Sequence, residues 1–257
     1  MAEDITQFYS SDKYLVENPS LHEEDSQWKL AKLAPLVDGF CRRQVGKEVN
    51  LLDVGGGAGI ILSEVASKVR ERLGISVRKY ALDLSPGALQ IQVARNPDII
   101  RAVNEDIRST SFADKEINLT LMIDVLEHVP EPERALREVA RISRYLLLKV
   151  PIEDTLWTRL ADAVRGAKRK QEILDSVGHV NFYTPRALRS QIERNGGRIV
   201  DFRYANSFGS LRATKLYDDL GPVQRMPFLL GPILFSVSPE LCVRVFVDSA
   251  LILVECQ

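Results

Sequence analysis

The chain has 257 residues, a formal net charge of −1 and a hydrophobic fraction of 45%. This length accommodates a full α/β core in one unit, and the balanced charge argues against bulk attraction to nucleic acid. Three scattered cysteines, an acidic N-terminus without an apolar leader, and no run of about 18 apolar residues predict a cytoplasmic protein with reduced thiols and no membrane span.

A strand, a glycine-rich turn and a helix are predicted from residue 51 onward. Residues 51–54 read Leu-Leu-Asp-Val, residues 55–59 read Gly-Gly-Gly-Ala-Gly, and the apolar residues that follow have helical spacing. Glycines permit a tight turn and close approach of a ligand, and a helix N-terminus attracts negative charge. A dinucleotide-binding fingerprint needs a small third residue, but Ile60 stands there. The pattern is therefore D-x-G-x-G-x-G, and its candidate binding residues are Asp53, Gly55, Gly56 and Gly57; a purely structural turn is the alternative.

A second predicted strand, residues 77–82, ends at Asp83. A carboxylate at this place can accept hydrogen bonds from both hydroxyls of a ribose. A solubilising charge at a strand end is the alternative. The 30 residues between Asp53 and Asp83 predict a long intervening helix that ends near Leu73.

Further elements follow in the same alternation, which argues for a parallel sheet. Ser85 and Pro86 are typical of an N-cap and a first helical residue. An acidic segment, Asn-Glu-Asp-Ile, occupies residues 104–107. An apolar strand at 117–123 leads into Asp-Val-Leu-Glu-His-Val-Pro-Glu-Pro-Glu, and an amphipathic helix then precedes the strand at 145–151.

This ordered set of motifs resembles class I methyltransferases that depend on S-adenosyl-L-methionine (SAM), in particular the ubiquinone/menaquinone-biosynthesis type. The glycine segment is similar to motif I of that class. The stretch 124–132 is similar to D-x-L-E-H-V-x-x-P of that type, and residues 179–184 resemble its H-x-x-x-F/Y-S/T entry to the last major helix. Asn118 departs from the pattern, because many relatives carry Asp there. The resemblance covers about residues 45–205.

The resemblance implies a fold, a cofactor and a set of binding residues. The fold is α/β, with a Rossmann-like, seven-stranded, mostly parallel doubly wound sheet and helices on both faces. The cofactor is SAM, and its product is S-adenosyl-L-homocysteine. Asp83 would bind the ribose, and an acidic residue followed by an apolar one would hold the adenine, although an ordinary charged loop is the alternative there. The cofactor residues added on this basis are Leu84, Asp106, Ile107 and Asp124.

Three segments lie outside the resembling core. Residues 1–45 are expected to form a helical lid in which Tyr14 or Trp28 covers the methyl donor, with packing on the sheet as the alternative. Residues 153–178 form an amphipathic stretch. It contains Arg-Gly-Ala-Lys-Arg-Lys at 165–170, which is interpreted as a solvated helix face rather than a nucleic-acid site.

The third segment, residues 206–240, is too long for an ordinary connector and contains Gly-Pro breaks and many apolar residues. We expect it to roof the pocket or to form a contact in a homodimer. A membrane contact is less favoured, since Arg225 is nearly the only cation there. The last strand is predicted to start at Arg244, within residues 241–257.

The expected reaction is SAM-dependent methyl transfer to a small molecule, most simply to a hydroxyl group. Since a hydroxyl acceptor must lose a proton, a histidine is the natural base. His128 follows the fourth strand, where open α/β sheets bind ligands, and is the first candidate for a general base or acceptor-orienting residue. His179 is the second, and a role of His128 in fixing the loop is the alternative. An RNA or protein methyltransferase, or a SAM-binding partner protein without activity, are the other functions to be separated.

A metal site is the remaining alternative at this motif. Asp124, Glu127 and His128 have a spacing similar to the E-x-x-E-H through which some quinone-pathway and RNA 3′-end relatives bind a divalent ion. Two carboxylates and an imidazole suit Mg²⁺ or Zn²⁺. The first position is Asp here, and many relatives with the motif need no metal. The prediction is therefore that no metal is bound.

Overall fold

The computed structural model describes residues 2–11, 13–21, 23–165, 171–174, 178–209 and 220–257. His22, most of the basic run at 165–170, and the middle of the 206–240 segment lie outside these ranges. Expectations that rest on them are therefore not addressed by the structure.

The described strands form one seven-stranded sheet in the order β3-β2-β1-β4-β5-β7-β6. They are β1 (Glu48–Val54), β2 (Ser76–Leu82), β3 (Ile99–Val103), β4 (Ile117–Ile123), β5 (Ser143–Ile152), β6 (Gly197–Tyr204) and β7 (Asp248–Cys256). Strands β1 to β5 pair in parallel, whereas β7 is antiparallel to both of its neighbours. The chain order reverses between β1 and β4, where such sheets bind ligands at the carboxyl ends of the strands. The predicted α/β class and sheet are confirmed.

Helices cover both faces of the sheet. They are α1 (Ala2–Ser10), α2 (Lys13–Glu17), α3 (Ser26–Cys41), α4 (Ile60–Leu73), α5 (Pro86–Arg95), α6 (Pro132–Ile142), α7 (Leu156–Arg165), α8 (Pro185–Asn195), α9 (Pro222–Val237) and α10 (Pro239–Val245). Short 3₁₀ turns occupy Glu23–Asp25 and Leu126–His128. The predicted start of α5 is confirmed, because Ser85 Oγ accepts the Ala88 N–H at 3.0 Å. The predicted end of α4 at Leu73 is also confirmed, since Gly74 follows it in the left-handed conformation with φ 65°.

Successive residues of the central strands pack into two separate cores. Leu51 of β1 faces α3 and α4 and packs in one cluster with Leu36 and Leu62. Leu52 faces the opposite side and packs in the other cluster with Leu136 of α6. Strands buried on both faces read as continuous apolar runs, which is the pattern of the sequence here. Complete burial of one such leucine stabilises the fold by about 1.5–3 kcal/mol.

The last strand begins later than the sequence predicted. Residues Pro239–Val245 form α10, and β7 starts only at Asp248 rather than at Arg244. Ser238 Oγ accepts the Leu241 N–H at 3.2 Å, and Pro239 occupies the first helical position. This Ser-Pro start signal outweighed the apolar run from which the strand was predicted.

Helix α9 exposes an apolar stripe. The side chains that form it recur at three- and four-residue spacing and are 40% to 77% exposed: Val223, Met226, Leu230, Ile233 and Val237. The other side of α9 packs through Leu234 and Phe235 against a small cluster around Phe208 and Phe246. None of the helices in the described ranges has both the length and the apolar character needed to cross a membrane. The homodimer contact remains a prediction for this stripe, and sedimentation velocity is the measurement that decides it.

Candidate functional site

A cavity of about 440 Å³ opens at the carboxyl ends of β1, β2 and β4. The glycine turn, Asp83 and residues 105–108 form one part of its wall, and residues 123–125 and 127–130 form another. Tyr9 and Tyr14 from the N-terminal helices also line it. The volume lies within the range of small-molecule sites. Trp28 packs against the core of the sheet instead, and the described residues of the 206–240 segment do not belong to the wall.

The glycine turn leaves little room for side chains. Gly55, Gly57 and Gly59 have positive φ angles of 62°, 51° and 75°, which favour glycine. A Cβ atom on Gly56 would lie 2.1 Å from Asp53 Oδ2 and 2.2 Å from Gln92 Nε2. The turn can therefore sit directly on these two side chains only because residue 56 is glycine.

A buried polar chain supports this turn from below. Gln92 Nε2 donates to Asp53 Oδ2 at 2.9 Å, and Asn96 Nδ2 donates to the Gly59 carbonyl at 3.0 Å. Lys79 Nζ donates to Asn96 Oδ1 at 2.8 Å. Burial, with the nearby Asp83 charge, raises the pKa of Asp53 to about 8. The sequence did not predict Gln92 and Asn96, although their four-residue spacing places one polar residue on α5 and another at its C-cap.

Asp83 lies where the sequence placed it, at the end of β2. Its side chain is largely buried, and Oδ1 accepts the Ser85 N–H at 2.8 Å. Asn104 Nδ2 donates to the carbonyls of Asp83 and Leu84 at 2.8 and 3.0 Å, which fixes this corner of the cavity. Both Asp83 and Leu84 line the cavity.

Asp106 and Ile107 also line the cavity, but Asp106 has a partner that the sequence did not reveal. Arg108 Nε donates to its Oδ1 at 3.0 Å and Nη2 donates to its Oδ2 at 2.6 Å. Burial raises the pKa of Asp106, yet the hydrogen bonds and charge of Arg108 outweigh this and hold the pKa below its usual value. Binding of adenine by Asp106 stays a prediction. Through its two hydrogen bonds, Arg108 would orient the Asp106 carboxylate for that role.

Asp124 is engaged by two lysines. It follows β4 directly, has a positive φ of 57° and lines the cavity. It forms ion pairs with Lys149 of β5 and, at 3.0 Å, with Lys29 of α3. Burial raises the pKa of Asp124, but the two cations outweigh it and hold the pKa well below its usual value. Lys29 therefore ties the N-terminal segment to the site, a contact with no local signal in the sequence.

Hydrogen bonds to backbone carbonyls hold the segment around His128 against the segment around His179. The carbonyl of Glu127 accepts the N–H groups of Val180 and Asn181 at 2.9 and 3.0 Å. Asn181 Nδ2 also donates to the Val129 carbonyl at 2.8 Å. His128 and His179 consequently lie side by side in the cavity wall, with ring centroids 4.8 Å apart.

Each imidazole has a hydrogen-bond partner of its own at Nδ1. Tyr9 Oη lies 2.8 Å from Nδ1 of His128, and Glu153 Oε2 lies 2.7 Å from Nδ1 of His179. Tyr9 comes from α1, and Glu153 comes directly after β5. Neither residue was predicted as part of the site.

Glu127 lies with His128 and His179 in a compact group of side chains whose atoms could ligate a metal ion. Its side chain is buried, and within the described ranges neither carboxyl oxygen has a hydrogen-bond partner. Burial and the nearby Asp124 raise its pKa well above the usual value. One donor atom each of Glu127, His128 and His179 lies within 4.8 Å of the others. The metal alternative in the sequence used Asp124, but the structure pairs Asp124 with lysines and brings His179 to this group instead.

The chain matches a family of known proteins over most of its length. Residues 22–201 match the profile of a family described as "Methyltransferase domain". A ubiquinone biosynthesis O-methyltransferase of Cupriavidus pinatubonensis (strain JMP 134 / LMG 1197) is 34% identical over 131 residues, which are 48% of this chain and 49% of that protein. An uncharacterized methyltransferase of Mycobacterium sp. (strain KMS) is 29% identical over 137 residues, which are 50% and 51% of the two proteins. The chain spans about half the length of these relatives.

Solved structures share the fold at lower identity. The geranyl diphosphate C-methyltransferase of Streptomyces coelicolor A3(2), crystallised with Mg²⁺, geranyl diphosphate and S-adenosyl-L-homocysteine, superposes with a TM-score of 0.56 at 12% identity, over 87% of this chain and 78% of that one. The cyclase SpnF superposes with a TM-score of 0.53 at 17% identity, over 85% and 79%. These likenesses show the fold alone.

Proposed function

The chain belongs to the methyltransferase-domain family, and from this premise we propose that it transfers the methyl group of SAM to a hydroxyl group of a small molecule. SAM is the cofactor of this family. The observation that carries the proposal is that one cavity is lined both by the glycine turn with Asp83 and by His128 with His179. The first group suits the methyl donor, and the two imidazoles suit an acceptor that must lose a proton.

For this reaction the protein must mainly align the acceptor with SAM and remove the hydroxyl proton. An acceptor oxygen attacks the methyl carbon in line, the carbon–sulfur bond breaks, and S-adenosyl-L-homocysteine departs as a neutral thioether. Because the sulfonium already activates the methyl group, the site must mainly align the reactants and exclude water. The proton of the hydroxyl passes to a histidine. The printed name of one relative, an O-methyltransferase, supports the same acceptor chemistry.

Two other functions are weighed against it. An RNA methyltransferase is less favoured, because the chain has a formal net charge of −1 and no strongly basic bulk, and a protein methyltransferase is separated by the choice of acceptor in the assay. A SAM-binding protein without methyltransferase activity must be separated by experiment, since a cyclase shares the fold.

Turnover of methyl-labelled SAM separates these functions. We expect label to pass to hydroxyl-bearing small molecules from a metabolite panel, and not to RNA or protein acceptors assayed beside them. A Gly56→Val variant is the matched control, because any side chain there collides with Asp53 and Gln92. Label in RNA or protein alone would overturn the proposal, and SAM binding without any turnover would favour the non-catalytic protein.

A second test concerns metal. Dialysis against EDTA should leave methyl transfer largely intact, because the sulfonium supplies the activation that a Lewis acid would otherwise provide. The Asp124 carboxylate is in addition already paired with Lys149 and Lys29. The measurement is the initial rate before and after dialysis, with SAM affinity as the control. Loss of activity that Mg²⁺ or Zn²⁺ restores would show instead that Glu127, His128 and His179 bind a cation.

A further inference from the structure

His128 and His179 have chemically different hydrogen-bond partners at Nδ1, a tyrosine hydroxyl and a carboxylate. This difference suggests different roles for the two rings. We propose that His179, oriented by Glu153, takes the proton of the acceptor, whereas His128, oriented by Tyr9, presents an N–H donor to the acceptor oxygen. The inference rests on the proposed O-methylation. It reverses the order in which the sequence ranked the two histidines, and it adds Glu153 and Tyr9 as positioning residues.

The first half of the argument concerns Glu153. A carboxylate accepts hydrogen bonds and does not donate them, so in the proposed arrangement the proton between Glu153 Oε2 and His179 lies on Nδ1. Nε2 of His179 then carries the lone pair that a base requires. The two side chains are only 13% and 15% exposed, so water competes little for this contact. Thr158 Oγ1 donates to the Glu153 carbonyl at 2.7 Å, which holds the loop that carries the carboxylate.

The second half concerns Tyr9. Burial, with the nearby Tyr14 and Glu127, raises the pKa of Tyr9 well above its ordinary value, so its phenol stays protonated. In the proposed arrangement this phenol O–H donates to Nδ1 of His128, which lies 2.8 Å from Tyr9 Oη. The imidazole proton then resides on Nε2, and His128 is a donor rather than a base. Since Tyr9 lies on α1, the N-terminal helix sets the state of a ring in the cavity wall.

The two rings together can handle one acceptor hydroxyl. They meet edge to face at 71° with centroids 4.8 Å apart, and in the proposed arrangement both rings contact the oxygen of that hydroxyl. The His128 N–H donates to the acceptor oxygen while the hydroxyl proton moves from that oxygen to Nε2 of His179. The new oxygen–carbon bond forms as the carbon–sulfur bond of SAM breaks. Glu153 then stabilises the imidazolium through the Nδ1–H bond, as a carboxylate does for a general-base histidine. The proton leaves to solvent when the products depart.

Other titratable and charged groups lie in or beside the same cavity and come from several elements. They include Tyr9 of α1, Tyr14 of α2, Lys29 of α3, Asp83 after β2, Asp124 and Glu127 after β4, Lys149 of β5, and Glu153 after it. A pH profile alone would mix their titrations. The direct observable is therefore the position of the proton on each ring.

Nitrogen NMR of the histidine side chains measures this position. The chain has three histidines, so ¹⁵N-histidine labelling gives a small set of signals that His128→Gln and His179→Gln variants assign. With S-adenosyl-L-homocysteine bound at a pH of about 8.5, above ordinary imidazole titration, we expect His179 protonated at Nδ1 and His128 protonated at Nε2. The same tautomer in both rings, or the opposite pair, would overturn the inference.

Two variants test the partners. Glu153→Met should abolish the tautomer preference of His179 alone, and Tyr9→Phe should abolish that of His128 alone. Glu193→Gln, which alters an exposed carboxylate on α8, should change neither. Binding of S-adenosyl-L-homocysteine to each variant checks that the fold is retained. A tautomer that survives loss of its partner would show that the partner does not orient the ring.

Kinetics with any hydroxyl acceptor from the panel completes the test. Glu153→Met should lower kcat by ~10-fold or more with little change in the KM for SAM. Tyr9→Phe should chiefly raise the KM for the acceptor. Expected tautomers without any hydroxyl acceptor would refute the proposed O-methylation but keep the arrangement of the rings. Turnover with the wrong tautomers would refute this inference alone.

Discussion

Replacing Gly57 by Val should weaken SAM binding by about 10- to 100-fold. Gly57 has a φ of 51°, and a Cβ atom there would lie 3.5 Å from Leu21 Cβ, within the cavity wall. A β-branched residue rarely adopts this conformation, so the turn must change shape at a cost of about 1–3 kcal/mol. Each 1.4 kcal/mol of lost binding energy corresponds to about tenfold in affinity. Calorimetry of the folded variant with SAM is the measurement.

The chain offers a control with matched backbone strain. Gly74, at the end of α4, has a φ of 65°, and a Cβ atom there would meet no other atom within 4 Å. Gly74→Val should therefore lower stability through the same strain while leaving SAM affinity unchanged. Equal affinity of the Gly57 and Gly74 variants for SAM would show that the turn does not contact the cofactor.

Asp83 supplies a second, independent test of the same site. Asp83→Ala should lower SAM affinity by about 10- to 100-fold, since hydrogen bonds to a charged group contribute about 1.5–3 kcal/mol. Asp83→Asn keeps an oxygen for the Ser85 N–H and separates that local role from ribose binding. Wild-type affinity in both the Gly57→Val and Asp83→Ala variants would place SAM elsewhere.

The elements of the core were predictable because their signals are local. The strand at 117–123 was predicted with the bounds that β4 has. The C-terminal end of α4 followed from Gly74, and the start of α5 followed from Ser85 with Pro86. A cap, a left-handed glycine or an apolar run acts within a few residues. The predicted start of the last strand was wrong because another local signal was stronger: Ser238 and Pro239 begin helix α10 there.

The side-chain contacts within the site were not predictable, because they join residues that are far apart in the sequence. Tyr9 and His128 are 119 residues apart, and nothing in the sequence around either residue indicates the other. The same holds for Lys29 with Asp124, which are brought together only when α3 packs on the sheet. Periodicity predicts that a side chain is buried or exposed, but it does not name the partner across the fold.

The segment 206–240 shows a related limit. Its apolar composition was evident, but composition does not reveal which surface covers an apolar side chain. The structure leaves Leu230 46% exposed and outside the cavity wall. Leu230→Ala should therefore leave the acceptor KM unchanged, which makes it a useful control for variants within the cavity.

The largest kinetic effect is expected from His179. His179→Ala should lower kcat by ~10²-fold or more, because removal of a general base typically costs 10²- to 10⁴-fold in rate. His128→Ala should chiefly raise the acceptor KM, since it removes a donor that holds the acceptor oxygen before and during transfer. SAM affinity should change little in either variant, because neither ring belongs to the glycine turn or to Asp83. Steady-state kinetics with labelled SAM measures both constants.

The pattern of the two variants decides between the arrangements. A large loss of kcat in His128→Ala with nearly full kcat in His179→Ala would restore the order that the sequence favoured and make His128 the base. Unchanged kcat in both would mean that the acceptor reaches the site already ionised or that another group takes its proton. The Leu230→Ala control guards against a general effect of losing an apolar or half-buried side chain. Only a kcat loss confined to His179, reproduced more weakly by Glu153→Met, fits a base that its carboxylate partner orients.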